Sequence, residues 1–178
     1  MTRLEISERG SREFYDEMYN VASNYNKFIK KPTKKPRGQS KVYFGYCVWS
    51  AIVIALFMYV YSQEHAGLFL LLAGMMLVCG ILFAVMGVAV NKRIKLLMSE
   101  TGTKVFEIDE NGVRLKDDSQ DIKLSWDNIA NVLVNRNSIV FLPANDRTFL
   151  ISVYSEYKDE VLKGIEGTGH MDLVVENA

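Results

Sequence analysis

The run VYFGYCVWSAIVIALFMYVYSQEHAGLFLLLAGMMLVCGILFAVMGVAV, residues 42–90, decides the architecture, because its 49 residues carry one formal charge, Glu64. That charge falls near the middle, in Gln63-Glu64-His65, and divides the run into two uncharged apolar stretches. Val42 to Ser62 is 21 residues and Gly67 to Val90 is 24. At the helical rise these reach about 32 and 36 Å, against a hydrocarbon core of about 30 Å. The expected structure is two membrane-spanning helices joined by a tight turn, since the core of a soluble domain rarely needs two such runs in succession. The first stretch follows 41 mostly polar residues and is too long for the apolar segment of a signal peptide, so it is expected to stay in the mature chain.

Tyr43, Phe44, Tyr46 and Trp49 gather at one end of the first stretch and Tyr59 and Tyr61 at the other, the placement of aromatic belts at two membrane interfaces. Lys27, Lys30, Lys31, Lys34, Lys35, Arg37 and Lys41 precede the first stretch, Lys92, Arg93 and Lys95 follow the second, and the connecting turn has no basic residue. Both termini are therefore expected in the cytoplasm. These ten residues are also the candidates for contact with an anionic bilayer surface, although the topology rule alone accounts for them.

The formal net charge of zero, from 21 basic and 21 acidic residues, conceals an asymmetry. Met1 to Lys41 holds ten basic and five acidic residues, whereas Lys104 to Ala178 holds eight and fourteen. Residues 1–41 read as a cytoplasmic amphipathic helix and basic linker, 42–90 as the hairpin, 91–102 as a helical stalk, 103–167 as one small soluble domain and 168–178 as a tail. Cys47 and Cys79 lie at different depths of the spans and are read as small apolar residues, not as a disulfide or reactive thiols.

Phe14, Met18, Val21, Tyr25 and Phe28 recur at steps of four and three and so share one helical face, with Ser11 as N-cap and Pro32 as stop. Such a helix either lies on the inner leaflet or packs its stripe against the C-terminal domain or a partner chain. Within the spans Cys47, Ala51 and Ala55 step by four, and Ala73, Gly80, Ala84 and Gly87 lie close to one face. Small faces let helices approach, so Ala51, Ala55, Gly80, Ala84 and Gly87 are the candidate packing residues of the hairpin; a homodimer through Gly80 and Ala84 is the alternative use. No Asp, Glu, Lys, Arg or His lies inside either span, which disfavours an ion or proton pathway.

Beyond Thr101-Gly102 the pattern becomes strand-like. Thr103 to Asp109 and Val113 to Leu115 flank an Asn111-Gly112 hairpin turn, Ile122, Leu124 and Trp126 alternate strictly, and runs at 132–134, 139–142 and 148–153 follow. Ser155 then caps a helix with Tyr157, Val161 and Ile165 as its stripe and Gly167 as its end. The fold class is a membrane α-helical hairpin plus α+β, with the C-terminal helix covering a small antiparallel sheet or partly open barrel.

Phe106-Glu107-Ile108, Asn111-Gly112-Val113 and Ser125-Trp126-Asp127-Asn128-Ile129, placed after two close spans, resemble the YcxB-like family of bacterial membrane proteins, over roughly residues 42–167. Its Ser-Trp-x-x-Ile element corresponds to Ser125, Trp126 and Ile129. The resemblance implies a C-terminal domain similar to a bacterial pleckstrin-homology fold and a place in the bacterial inner membrane; it implies no activity. The expected function is a non-enzymatic membrane protein whose cytoplasmic domain binds another protein of unknown identity. The alternative is immunity against a membrane-active bacteriocin or toxin.

The remaining chemistry is expected to be absent. His65 and His170 have no cysteine or histidine companion at metal-ligand spacing, and there is no phosphate loop or nucleophile elbow. No catalytic residue, cofactor or metal is expected. The cluster Asp117-Asp118-Ser119-Gln120-Asp121 lacks the spacing and glycine of a calcium loop and reads as a solvated turn. Nucleic acid is not expected as a partner either, since the basic run is confined to one linker with no base-reading element beside it.

Overall fold

The computed structural model describes residues 2–7, 11–33, 35–36, 38–99, 102–118, 120–145 and 150–177. The chain forms two compact units: Met1–Pro36 together with Leu96–Ala178, hereafter the sheet unit, and Arg37–Lys95, the hairpin unit. The hairpin is thus an insertion in the sheet unit, and the residues before it are not a separate segment but part of the same fold as residues 103–177.

The sheet unit contains β1 (Thr2–Ser7), α1 (Arg12–Ser23), α2 (Tyr25–Lys30), β2 (Thr103–Asp109), β3 (Gly112–Lys116), β4 (Asp121–Ser125), β5 (Ile129–Val134), β6 (Ser138–Pro143), β7 (Ile151–Tyr154), α5 (Lys158–Thr168) and β8 (Val174–Glu176). The hairpin consists of α3 (Gln39–Glu64) and α4 (Gly67–Ser99). One four-stranded sheet has the order β1-β2-β3-β4 and is antiparallel throughout; the other has the order β7-β6-β5-β8, with β8 parallel to β5.

Two of these strands lie where no strand is expected. Thr2–Ser7 pairs with β2 from Thr2 opposite Ile108 to Ser7 opposite Thr103, and Val174–Glu176, within the expected tail, pairs with β5. The C-terminal helix also ends later than expected: Gly167 lies inside α5, and Gly169, at φ 81°, supplies the left-handed cap. Its N-terminal turn, Ser155–Tyr157, is a 3-10 turn leading into α5. Residues 146–149, the start of the run read at 148–153, and Thr101 of the expected stalk stop lie outside the described residues.

Alternation along β5 and β6 sends side chains into two cores. Val132, Val134, Ile139 and Phe141 join Phe106, Ile108, Trp126, Ile151, Val161 and Ile165 beneath α5, whereas Leu133, Val140 and Leu142 meet Val21, Tyr25 and Phe28 of α1 and α2. Sheet faces bury alternate residues, so a strand covered on both sides buries all of them; all six residues of β6 are buried. The N-terminal stripe is continuous across the break at Asn24, and of its open destinations the structure shows the C-terminal domain.

The first core is closed by three tight local features. The Asp109 carboxylate accepts from the backbone N–H of Asn111 and of Gly112, and Gly112, at φ 150°, faces backbone so closely that a Cβ there would stand 2.0 Å from the Leu124 carbonyl oxygen. Only glycine fits that turn. Trp126 is buried in a 3-10 turn, donates its indole N–H to the Asp109 carbonyl at 2.9 Å and stacks on His170. Ile129 is buried beside it, while Ser125 is exposed and accepts from Asn128. Gly164 brings α5 close to β1 and β2, where a Cβ would lie 2.8 Å from Ile108 Cδ1 and 3.1 Å from Thr2 Oγ1.

In the hairpin unit, Lys41–Glu64 and Gly67–Ser99 are long and apolar enough to cross a membrane, and only 6% of the most apolar window of each is buried. Buried core helices of a soluble domain would show the opposite. The chain turns at His65, whose φ of 51° forms a left-handed cap on α3.

Candidate functional site

Three places in the molecule combine unusual chemistry with a defined geometry: the docking point of α1, the charged outer face of the first sheet, and a cavity in the sheet unit. Glu17 lies on α1 beside the stripe residues Phe14 and Met18 and is buried. Its carboxylate accepts three bonds from the β5–β6 turn: the Asn137 side-chain N–H at 2.7 Å, the Ser138 hydroxyl at 2.8 Å and the Asn137 backbone N–H at 3.2 Å. A buried carboxylate is tolerated when its oxygens are saturated in this way. Tyr25 adds a short hydrogen bond to the Pro143 carbonyl, and the Asn177 amide bridges the Pro32 carbonyl and Asn135 Oδ1. Glu17 had no place among the expected site residues; the available signal was a carboxylate flanking an apolar stripe and an Asn/Ser-rich turn, Asn135 to Ser138.

On the outer face of the first sheet, opposite charges alternate across all four strands. Arg3 of β1 faces Glu107 of β2 at 3.9 Å, Glu107 faces Arg114 of β3 at 3.5 Å, and the Arg114 guanidinium donates to both Asp121 oxygens at 2.7 and 2.5 Å. The hydrogen bonds from Arg114 hold the Asp121 carboxyl below its ordinary value of 3.8, and Asp121 in turn raises the guanidinium. Cross-strand pairs of this kind fix register on a solvated face. They do not form a cation pocket, and no group of three metal-capable side chains occurs among the described residues.

The cavity has a volume of about 210 Å³ and is bounded by α1 (Phe14, Tyr15, Met18), the first sheet (Ile6, Leu115, Ile122) and the start of the second sheet (Leu150, Ser152, Tyr154), with Lys104, Gln120 and Leu97 completing the wall. Phe14 and Tyr154 pack ring to ring at 4.2 Å, and the Ser152 hydroxyl meets Met18 Sδ at 3.4 Å. None of these residues was singled out by the sequence as a site.

In the hairpin, part of the expected packing set comes together. Gly80 lies against Ser50 and Gly87 against Tyr43, where an added Cβ would meet each partner's Cβ at 3.3 Å. The Cys47 thiol donates to the Gly80 carbonyl at 3.7 Å, and Tyr46 stacks on Phe83. Tyr43, Cys47, Ser50, Ile54, Phe57 and Tyr61 form a partly or fully buried line at alternating steps of four and three. Phe69, Ala73, Met76, Gly80, Phe83, Gly87 and Val90 do the same on α4. This is the heptad seam of an antiparallel helix pair. Ala51, Ala55 and Ala84 lie off it and are exposed.

Lys27, Lys30, Lys31, Lys35, Lys41, Lys92, Arg93 and Lys95 are exposed, Lys27 bonding to Asn24 Oδ1, while Lys34 and Arg37 lie outside the described residues. No family model matches this chain, and no match to it is found among curated proteins or solved structures.

Proposed function

We propose that the chain is a non-enzymatic membrane protein, inserted through α3 and α4 with both termini cytoplasmic, whose sheet unit binds another protein. The observation that carries the topology is the pairing of β1 with β2. One strand precedes the hairpin and the other follows it, so a hairpin that crosses a bilayer must return to the side it left. The basic residues flanking both helices and the absence of any in the 63–66 turn favour the cytoplasm for that side. Two four-stranded sheets closed by a C-terminal helix also suit the pleckstrin-homology-like domain and YcxB-like membership that the sequence resemblance implies.

A binding role, not a catalytic one, is supported by how the buried polar groups are used. Glu17, Asn135, Asn137 and Ser138 bond to one another and hold α1 in place. Meanwhile β4 and β7 end their sheets, and sheet edges are where extended partner segments add. The test is photo-crosslinking in bacterial cells, with a benzophenone amino acid at Lys123 on β4 or at Val85 on α4. A discrete protein adduct from Lys123 and none from Val85 is expected; lipid adducts alone from both would overturn the interaction role. Maleimide labelling of Ser62→Cys from outside the cell, with none of a cysteine at Gly102, is the expected topology result, and the reverse pattern would overturn the orientation.

A further inference from the structure

We propose that the cavity of the sheet unit is a binding site for one single-chain anionic amphiphile, an alkyl chain carrying a carboxylate or phosphate head. Nine of its lining residues are apolar or aromatic, drawn from α1, α4 and both sheets. At about 210 Å³ it exceeds the roughly 150 Å³ apolar cavity that accommodates a benzene ring. It therefore has room for a length of one alkyl chain.

The charge is supplied by Lys104. In β2 the side chains of Phe106 and Ile108 point into the core while Glu107 points outward to the charged ladder, and Lys104 shares the inward register of Phe106. A lysine at an inward position costs burial energy that an aliphatic residue would not. Here its side chain is one quarter exposed and its amine stands 3.8 Å from the Asp117 carboxylate, a loose pair at the cavity wall. An anionic head brought there by a chain in the cavity gains a charge-assisted contact with that amine. Leu97, near the C-terminal end of α4, adds an apolar side chain to the wall.

The experiment uses the full-length chain in phosphatidylcholine nanodiscs, a diazirine-bearing myristate as probe, and peptide mapping of the adducts. Adducts are expected within residues 14–18 and 150–154, reduced about tenfold by Ile122→Trp, which fills the cavity. Unlabelled myristate should compete better than myristyl alcohol in the native chain, and Lys104→Met should abolish that preference while leaving the adducts in place. Lysophosphatidylglycerol competing better than myristate identifies a membrane lipid as the source, and the reverse order a free fatty acid. Adducts confined to residues 42–90 overturn the site, as do equal competition by acid and alcohol in the native chain or adducts unchanged in a folded Ile122→Trp variant. Should that variant fail to fold by circular dichroism, the Lys104→Met competition decides alone.

Discussion

The two units bury opposite kinds of residue. In the sheet unit Phe106, Phe141, Ile139 and Leu133 are fully buried and, of the described charged residues, only Asp16 and Glu17 are buried; in the hairpin Phe44, Trp49, Leu71, Leu82 and Val85 are exposed, while Ser50 is 2% exposed and Gly80 and Gly87 form the contact. The difference fits the setting proposed for each unit. Water drives large apolar side chains inward, whereas lipid provides no such drive and leaves close packing of small residues to hold helices together.

The largest test of this contrast removes one side of it. Replacing residues 37–95 with a Gly/Ser linker of about 20 residues should give a water-soluble, folded sheet unit. Deleting residues 1–36 should unfold that same unit. Loss of β1, α1 and α2 uncovers Leu133, Val140 and Leu142, each 0% exposed, and strips Ile6 from the first core. At about 1.5–3 kcal/mol for each large apolar side chain, this consumes much of the 5–15 kcal/mol by which a domain is stable. Gel filtration and circular dichroism read both outcomes. A folded 103–177 fragment would contradict the insertion, and an aggregated linker version would show that the sheet unit depends on the hairpin.

How much of this was legible depends on where each signal resides. The two long apolar helices are readable because an uncharged run of more than 20 residues has few other uses. Phe14 to Phe28 reveals a stripe, but its partner, β5 and β6, begins about a hundred residues later, and periodicity says nothing about what a stripe meets. Thr2–Ser7 alternates Leu4 and Ile6 inward, yet it is six residues long and acquires its structure from β2 across the whole hairpin. The same holds for Val174–Glu176. In the hairpin, steps of four through Cys47, Ala51 and Ala55 fit a small-residue face equally well on several rotations of the helix. The antiparallel register selects Cys47 and Ser50 instead. The cavity was illegible for a related reason: Lys104 reads as an ordinary polar strand residue until the β2 register turns it inward.

A single core substitution sharpens the contrast at one residue per unit. Phe141→Ala should destabilise the sheet unit by about 3–5 kcal/mol, the usual cost of an unfilled aromatic cavity. Leu82→Ala, at 57% exposure on the hairpin, should leave its stability in nanodiscs within about 0.5 kcal/mol. Thermal melting followed by near- and far-ultraviolet dichroism separates the two, and an equal loss from both would mean that Leu82 is packed by a second copy or another protein.

A smaller effect distinguishes the seam from the exposed small residues of the same helices. Gly80→Leu should weaken the hairpin by about 1–3 kcal/mol, because Ser50 Cβ already stands 3.3 Å from the added Cβ. Ala84→Leu should be neutral by the same assay. Disulfide trapping between cysteines placed at Tyr43 and Gly87 reports the helix approach directly. Loss of trapping in Ala84→Leu but not Gly80→Leu would place the small face where the sequence first suggested and reject the heptad seam.

The smallest expected effect concerns the charged face, where water weakens what the interior would strengthen. Arg114 lowers the Asp121 carboxyl pKa, so the folded state favours the ionised acid more than the unfolded chain does. The sign follows from proton linkage: this stabilisation is present above the unfolded aspartate value, about 3.9, and is lost as pH falls through the lower folded value. Asp121→Asn should therefore melt slightly below the native sheet unit at neutral pH, and the gap should close as pH is taken below the aspartate range. Because both side chains are partly exposed, at 31% and 43%, the gap should also shrink in molar salt. A gap that persists unchanged in acid and in salt would mean that Asp121 acts through the packing of the β3–β4 edge and not through its charge, and the ladder across β1, β2, β3 and β4 would then set register by shape alone.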